Sequence, residues 1–360
     1  MSAEFRSLTG VRAVAAVGVV VFHMVGQYPG AVSHPIIGKI LHFGGNGVDL
    51  FFILSGFILA YSYEAIFLNH SKNTYLLFLQ KRLARIFPAH LFALLLMLIL
   101  GLGLRALGNP FFENNGLRDF LAQLFLVSNW NPLKDAVLNW NVPSWSISSE
   151  WLAYLLFPIL LHRIRYFSKS LLYTLAFGLP FLMASSYYFG PANFGLIRVL
   201  CEFPAGIALY FLFNKFRSSF SASLWDRFGS MAAILYVTVG MTLGLLELNV
   251  RWAVIFIPPI LISLALSKST LAMTLAKPFP VYLGRISYSL YITHYFVLSA
   301  MRFLFISPRF QKGNFFFFIL TLVEIIVIYI VARATYRFVE LPGQKLLASS
   351  ISQRNTQSSI

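Results

Sequence analysis

The 360-residue chain is 58% hydrophobic and only 11% charged, with a mean hydropathy of +0.74. Soluble chains average about 45–50% apolar and about 25% charged residues, so an ordinary water-soluble domain is excluded and a polytopic membrane protein takes its place. The net charge of +16 would suggest a nucleic-acid partner in a soluble protein, but membrane proteins collect Lys and Arg in their cytoplasmic loops for another reason, orientation.

Apolar runs predict about ten transmembrane helices, each near the roughly 20 residues that a bilayer core requires. They fall at about 9–27, 47–64, 86–107, 145–162, 171–189, 195–213, 231–248, 252–267, 281–306 and 314–337. The expected fold class is an all-α polytopic membrane protein. An eleventh apolar stretch, 117–129, is too short to span and reads as a short interfacial or re-entrant helix. The first run carries Arg12 and His23 and lacks a small-x-small cleavage site, so it reads as a retained span rather than a signal peptide.

An even number of spans puts both termini on one side. With both cytoplasmic, 19 of the 28 Lys and Arg residues fall inside, and the positive-inside rule selects that orientation. The basic excess is then topology, and no nucleic-acid partner is expected. The organisation expected is a transmembrane domain over 1–345 and a polar cytoplasmic tail over 346–360, disordered after Ala348. The single cysteine, Cys201, lies in an apolar run; it forms no internal disulfide, belongs to no metal-ligand cluster and reads as packing.

Ionisable groups inside a membrane are costly and point to function. His23 lies about 22 Å along the first helix from Leu8, at 1.5 Å per residue. Asp49 opens the second span, Glu150 lies near the outer start of the fourth, and His294 lies about 20 Å along the ninth by the same rise. All four are expected in the outer half. Each also has a plainer reading. His23 can be a structural hydrogen-bonding residue. Asp49 can cap a helix after the turn Gly44-Gly45-Asn46-Gly47. Glu150 can be a first-turn acid, and His294 can belong to an aromatic interface belt with Tyr288, Tyr291 and Tyr295. On the cytoplasmic side, Lys81-Arg82-Leu83-Ala84-Arg85 opens the third span. Lys81 reads as an anchor. Arg82 and Arg85 are three apart, share a helix face and suit bidentate phosphate binding.

Together these residues resemble acyltransferase family 3 of the membrane O-acyltransferases. The segment Phe5-Arg6-Ser7-Leu8-Thr9-Gly10-Val11-Arg12-Ala13 followed by His23 is similar to the family's opening motif and its essential histidine. Gly47-Val48-Asp49-Leu50-Phe51-Phe52-Ile53-Leu54-Ser55-Gly56-Phe57 resembles its second-span motif. Arg82-Leu83-Ala84-Arg85 resembles its RxxR motif, and Trp145-Ser146-Ile147-Ser148-Ser149-Glu150 its WSxxxE motif. Gly284-Arg285-Ile286-Ser287-Tyr288-Ser289-Leu290-Tyr291 and Glu340-Leu341-Pro342 resemble its late motifs. The six occur in order over about 5–342.

The resemblance implies ten transmembrane helices in the inner (cytoplasmic) membrane of a bacterium. It implies acyl-coenzyme A, most often acetyl-coenzyme A, as cytoplasmic donor, with no metal, and a glycan or glycolipid acceptor such as lipopolysaccharide on the far side. It makes His23 catalytic and Arg82 and Arg85 necessary. Some relatives carry a fused extracytoplasmic domain. With no such domain after its tenth span, this chain is expected either to acylate its acceptor directly or to hand the group to a separate extracytoplasmic partner.

A mechanism follows as an expectation. His23 acts as general base on an acceptor hydroxyl, while an acyl-His intermediate remains an alternative. Glu150, ranked slightly above Asp49, orients the imidazole. Ser146, Ser148, Tyr288, Tyr291 and Asn141 are candidate oxyanion donors. Phe111, Phe112, Trp130 and Trp140, in the outer segment 108–144, are candidates for stacking on sugar rings, with interface anchoring the stronger reading. The rival functions are a secondary transporter and an export or scaffolding subunit of a polysaccharide assembly system.

Overall fold

The computed structural model describes residues 5–27, 35–68, 72–109, 111, 115–131, 139–189, 194–217, 222–266, 269–305 and 314–357. Among these residues every regular element is helical. In chain order they are α1 (Arg6–Gln27), α2 (Pro35–Leu41), a 3-10 turn (His42–Asn46), α3 (Gly47–Tyr63), α4 (Lys72–Ala106), α5 (Leu117–Leu124), α6 (Ser144–Ile164), α7 (Lys169–Tyr173), α8 (Leu179–Ser186), α9 (Phe194–Phe216), α10 (Ala222–Leu245), α11 (Ile257–Leu266), α12 (Thr270–Leu275), α13 (Pro278–Phe305), α14 (Asn314–Thr335) and α15 (Leu341–Gln357).

Among the described residues, six helical segments are long and apolar enough to cross a membrane: Arg6–Val25, Ile36–Tyr63, Asn73–Ala106, Phe194–Phe216, Ser223–Leu245 and Ile319–Ser349. A helix satisfies its own backbone hydrogen bonds, which is the condition for crossing hydrocarbon. The protein is therefore a multi-pass membrane protein. The other four of the ten expected stretches are helical too, but shorter or more polar, so length and apolarity do not fix the number of spans at ten.

Prolines account for the irregular stretches. Pro180 has no N–H to donate, and the turn before it widens into a π-helical stretch, Thr174–Gly178, between α7 and α8. Pro258-Pro259 opens α11, and the preceding turn, Val250–Phe256, is 3-10. Pro342 follows a second π-helical stretch, Tyr336–Glu340, between α14 and α15. The chain stays helical through Gln357, so the polar tail is not irregular where it is described.

The chain divides into two compact units, residues 1–68 with 156–287 and residues 69–155 with 288–360. In the first unit α9 is buried over almost its whole length and lies directly on α3. The contact is reciprocal. A Cβ on Gly56 would lie 2.1 Å from the Phe203 carbonyl oxygen, and one on Gly206 would lie 1.9 Å from that of Ile53. Small residues let helix backbones approach where no hydrophobic effect drives association. Gly284 of α13 makes a similar approach to Thr9 of α1, with a Cβ position 1.8 Å from the carbonyl oxygen. The apolar residues Met231, Ile234 and Val237 of α10 are exposed, as expected of a lipid-facing surface.

In the second unit α4 runs for 35 residues, about 52 Å at 1.5 Å per residue, against a hydrocarbon core of about 30 Å. Its start at Lys72 corrects the expectation of a span opening near 86. Arg82 and Arg85 are therefore already inside a continuous helix. α15 lies against α4 where Gly343 meets Pro88, its Cβ position 2.6 Å from the proline Cβ.

The α3–α9 contact predicts that Gly206→Ala is destabilising. The methyl group must displace backbone, at about 1–3 kcal/mol. The measurement is the thermal unfolding midpoint in detergent, expected to fall by several degrees; an unchanged midpoint would contradict the packing.

Candidate active site

His23 lies near the C-terminal end of α1, half-buried. Its Nδ1 is 3.0 Å from the carbonyl oxygen of Val19, one turn earlier. A carbonyl only accepts, so Nδ1 carries the hydrogen and Nε2 of the neutral ring carries the lone pair. The tautomer suited to a base at Nε2 is thus set within α1. The turn around it is tightly seated. Gly18 of α1 and Gly44 of the 3-10 turn approach each other, a Cβ on Gly44 falling 2.3 Å from the Gly18 carbonyl oxygen. Phe22 meets the His23 ring edge-on at 5.1 Å and the His42 ring at 5.2 Å.

Asp49 corrects the expectation twice. Asn46 occupies the cap position of α3 and makes no side-chain cap, while Asp49 is in the first turn. Its fully buried carboxylate is held by two arginines, with Arg198 Nε to Oδ1 at 2.9 Å and Arg198 Nη2 to Oδ2 at 2.8 Å. Arg251 Nη1 reaches Oδ2 at 2.8 Å and Asn46 Oδ1 at 2.9 Å, and Asn46 Nδ2 donates to the Val250 carbonyl at 2.8 Å. Glu202, fully buried one turn after Arg198 on α9, is close enough to interact with Asp49 and both arginines. Two carboxyls thus stand against two guanidiniums. Asp49 anchors the start of α3 through Arg198 and Arg251, and the His23 ring meets the Val19 carbonyl. Sequence reasoning counted Arg198 and Arg251 only as outer-side charges and passed over Glu202. The rule that selected His23, an ionisable residue inside an apolar run, selects Arg198 and Glu202 as well.

In the second unit, Glu150 lies beyond the first turn of α6, and its Oε1 accepts the Tyr154 hydroxyl at 2.6 Å. Arg85 Nη1 is bonded to Glu340 Oε1. Glu340 is fully buried; its Oε2 accepts Ser289 Oγ at 2.5 Å and its Oε1 accepts Gln344 Nε2 at 3.3 Å. The Arg85 guanidinium lies over the Tyr288 ring, 5.6 Å from the centroid, and the Tyr288 hydroxyl donates to the Ile86 carbonyl at 2.6 Å. Arg82 is half-buried and Lys81 exposed, consistent with different roles for the two.

The expected oxyanion donors hold structure. Ser146 Oγ is 3.0 Å from the Pro143 carbonyl and 2.7 Å from the Tyr291 hydroxyl. Ser148 Oγ donates to the Leu126 carbonyl at 2.9 Å and accepts from Asn129 N at 3.1 Å. Asn141 Nδ2 donates to the Ile292 carbonyl at 2.9 Å. These bonds fasten the segments around 126–129 and 141–143 to α6 and α13, and Tyr288 on Ile86 ties α13 to α4. His294 Nδ1 is 2.6 Å from the Tyr291 carbonyl and the residue is fully buried, so it is internal and not part of an interface belt. His90, which sequence reasoning did not single out, is also fully buried, with Nε2 2.9 Å from the Gln123 carbonyl.

Trp140 is buried against Leu94 and Met97, with Phe120 5.0 Å and Phe111 5.6 Å from its ring. Its φ of +52° is held by Asn115 and Gly116, which take its backbone and indole N–H groups. That ring is core, and Trp130 is bonded through Nε1 to the Ser148 carbonyl; neither is a free stacking platform. Phe112 lies outside the described residues. Among the described residues, no three His, Cys, Asp or Glu side chains converge in a metal-sized cluster.

The Asp49 cluster predicts that Asp49→Asn is costly to folding, because it removes the carboxylate that both Arg198 and Arg251 bond. Breaking a buried ion pair costs about 3–5 kcal/mol. Folded yield in detergent is the readout, and a wild-type yield would contradict the cluster's role.

Comparison with known proteins places these residues in a family. The acyltransferase domain family matches residues 5–333. The acyltransferase MdmB of Streptomyces mycarofaciens is 34% identical over 163 residues, covering 44% of this chain and 40% of that protein. The O-acetyltransferase OatA of Staphylococcus aureus is 26% identical over 364 residues, covering 94% of this chain and 57% of OatA. The chain thus spans about half the length of the curated relatives it matches. No solved structure matches it. With the family match extending over most of the sequence and every described motif falling within it or just beyond its end, the chain belongs to acyltransferase family 3.

Proposed function

We propose that the protein is a membrane O-acyltransferase. It moves an acyl group, acetyl by preference, from cytoplasmic acyl-coenzyme A to a hydroxyl of an envelope or exported glycan. Family membership supports acyl transfer, and the name of the relative that matches 94% of this chain, an O-acetyltransferase, supports acetyl and oxygen. Inner-membrane placement with both termini cytoplasmic is part of the same reading and rests on the distribution of basic residues.

The observation that carries the chemistry is the tautomer of His23. Its Nε2 takes the proton of the acceptor hydroxyl as that oxygen attacks the thioester carbonyl. The tetrahedral intermediate collapses, the carbon–sulfur bond breaks, and the thiolate leaves with the proton from the imidazolium. The products are an ester and free coenzyme A. Arg82 and Arg85 bind the donor phosphates through charge-assisted hydrogen bonds. Cys201 takes no part: it is buried beside Glu202 in α9, a poor setting for a thiolate.

His23→Ala should reduce acetylation of surface glycan by at least about a hundredfold, the usual lower range for a general base. The protein should still insert in the membrane and unfold at its normal temperature. Retained activity would sink the role. Cys201→Ala should leave activity within about twofold. Reconstitution with acetyl-coenzyme A separates this reading from a transporter, since a transporter moves a solute and consumes no thioester.

A further inference from the structure

The RxxR motif, the late Tyr288-Ser289 pair and Glu340-Leu341-Pro342 are far apart in the chain, and no spacing rule connects them. The second unit brings them together at one joint. α4 supplies Arg85, Ile86 and Pro88; α13 supplies Tyr288 and Ser289; the π-helical stretch ahead of α15 supplies Glu340, and α15 itself Gln344 and Gly343.

The joint is built around a carboxylate with no exposure, whose neighbours supply donors from three elements: Arg85, Ser289 and Gln344. A buried carboxylate needs such partners. The placement of Glu340 is deliberate in backbone terms. It closes a π-helical stretch, and such stretches re-aim side chains within helices, often at functional sites. Pro342, two residues on, cannot donate to the Phe338 carbonyl, which favours the wide turn. Gly343 then lets α15 lie on Pro88, one turn beyond Arg85 on α4.

Arg85 is held differently. Its side chain keeps 28% exposure, the Tyr288 ring lies against one face, and the bond to Glu340 uses one Nη1 hydrogen of the five N–H donors on the guanidinium. A fork fixed on one side by an ion pair and on one face by an aromatic ring has few orientations left. Less entropy is then lost when its remaining donors meet an anion.

We propose that Glu340 is the positioning residue of Arg85: it holds the guanidinium so that its free donors face the phosphates of the acyl donor. This rests on the reading that Arg82 and Arg85 bind those phosphates. It adds that Arg85 is effective only when Glu340, seated by Ser289 and Gln344, keeps it in place. Ser289 thus belongs to the donor site at one remove.

The test compares two donors, acetyl-coenzyme A and acetyl-pantetheine, which carries the same thioester without the phosphates. Glu340→Gln should raise KM for acetyl-coenzyme A by about tenfold, the worth of one hydrogen bond to a charged group, with kcat little changed. KM for acetyl-pantetheine should not move. A variant that merely loosened the fold would affect both donors alike, and that result would overturn the proposal, as would an unchanged or lowered KM for acetyl-coenzyme A. Ser289→Ala, which keeps the charge and removes one anchor, should shift the ratio of the two KM values in the same direction by a smaller factor. It decides the matter if Glu340→Gln yields no folded protein. Arg82→Ala separates the two layers of the argument. If it too fails to distinguish the donors, the phosphate reading has failed; if it distinguishes them and Glu340→Gln does not, only the positioning role has failed.

Discussion

A charge taken into a low-dielectric interior must bring its partner with it, and this condition organises both units of the chain. In the first, Asp49 and Glu202 face Arg198 and Arg251, and the cluster ties the start of α3 to α9 and to the turn before α11. In the second, Glu340 faces Arg85 and ties α4, α13 and the start of α15. Each unit has its buried carboxylate, its guanidinium and a small number of hydroxyl or amide anchors. With only 11% of residues charged, the chain places several of its charges where they join helices together.

Backbone contact does the rest. Apolar side chains gain little by leaving lipid for protein, so helix pairs in membranes depend on close approach. Gly56 and Gly206 provide it for α3 and α9, and Gly284 for α13 against α1. The family-like motifs acquire a physical meaning here. Gly284 is there because Thr9 is there, and the two belong to motifs at opposite ends of the sequence.

Much of this was legible in the sequence, and the limits have physical causes. The ten apolar runs fall largely on helix where they are described, because hydrocarbon imposes a length and a composition. They did not locate where α4 begins, because Lys72–Arg85 is helical without being apolar, and hydropathy is blind to a helix that continues past the bilayer. His23 was legible as a polar residue out of place. The Val19 carbonyl that its ring meets was not, since a main-chain carbonyl leaves no mark in the sequence. Asp49 was legible as a polar residue out of place, but its partners were not: Arg198 and Arg251 lie 149 and 202 residues away. Ser146, Ser148 and Asn141 looked like donors awaiting a substrate because hydroxyls and amides are versatile; only their partners reveal that they fasten loops.

The bond from His23 to Val19 has a consequence for genetics. In a serine protease the orienting carboxylate is a side chain and can be deleted, so mutagenesis finds a triad. Here the orienting group is a peptide carbonyl, which every amino acid supplies. Alanine at Val19 would therefore leave this carbonyl in place, and substitution there would not reveal the contact. The second member of the pair is written in the helix geometry itself and is inherited unchanged by any sequence that keeps α1 helical.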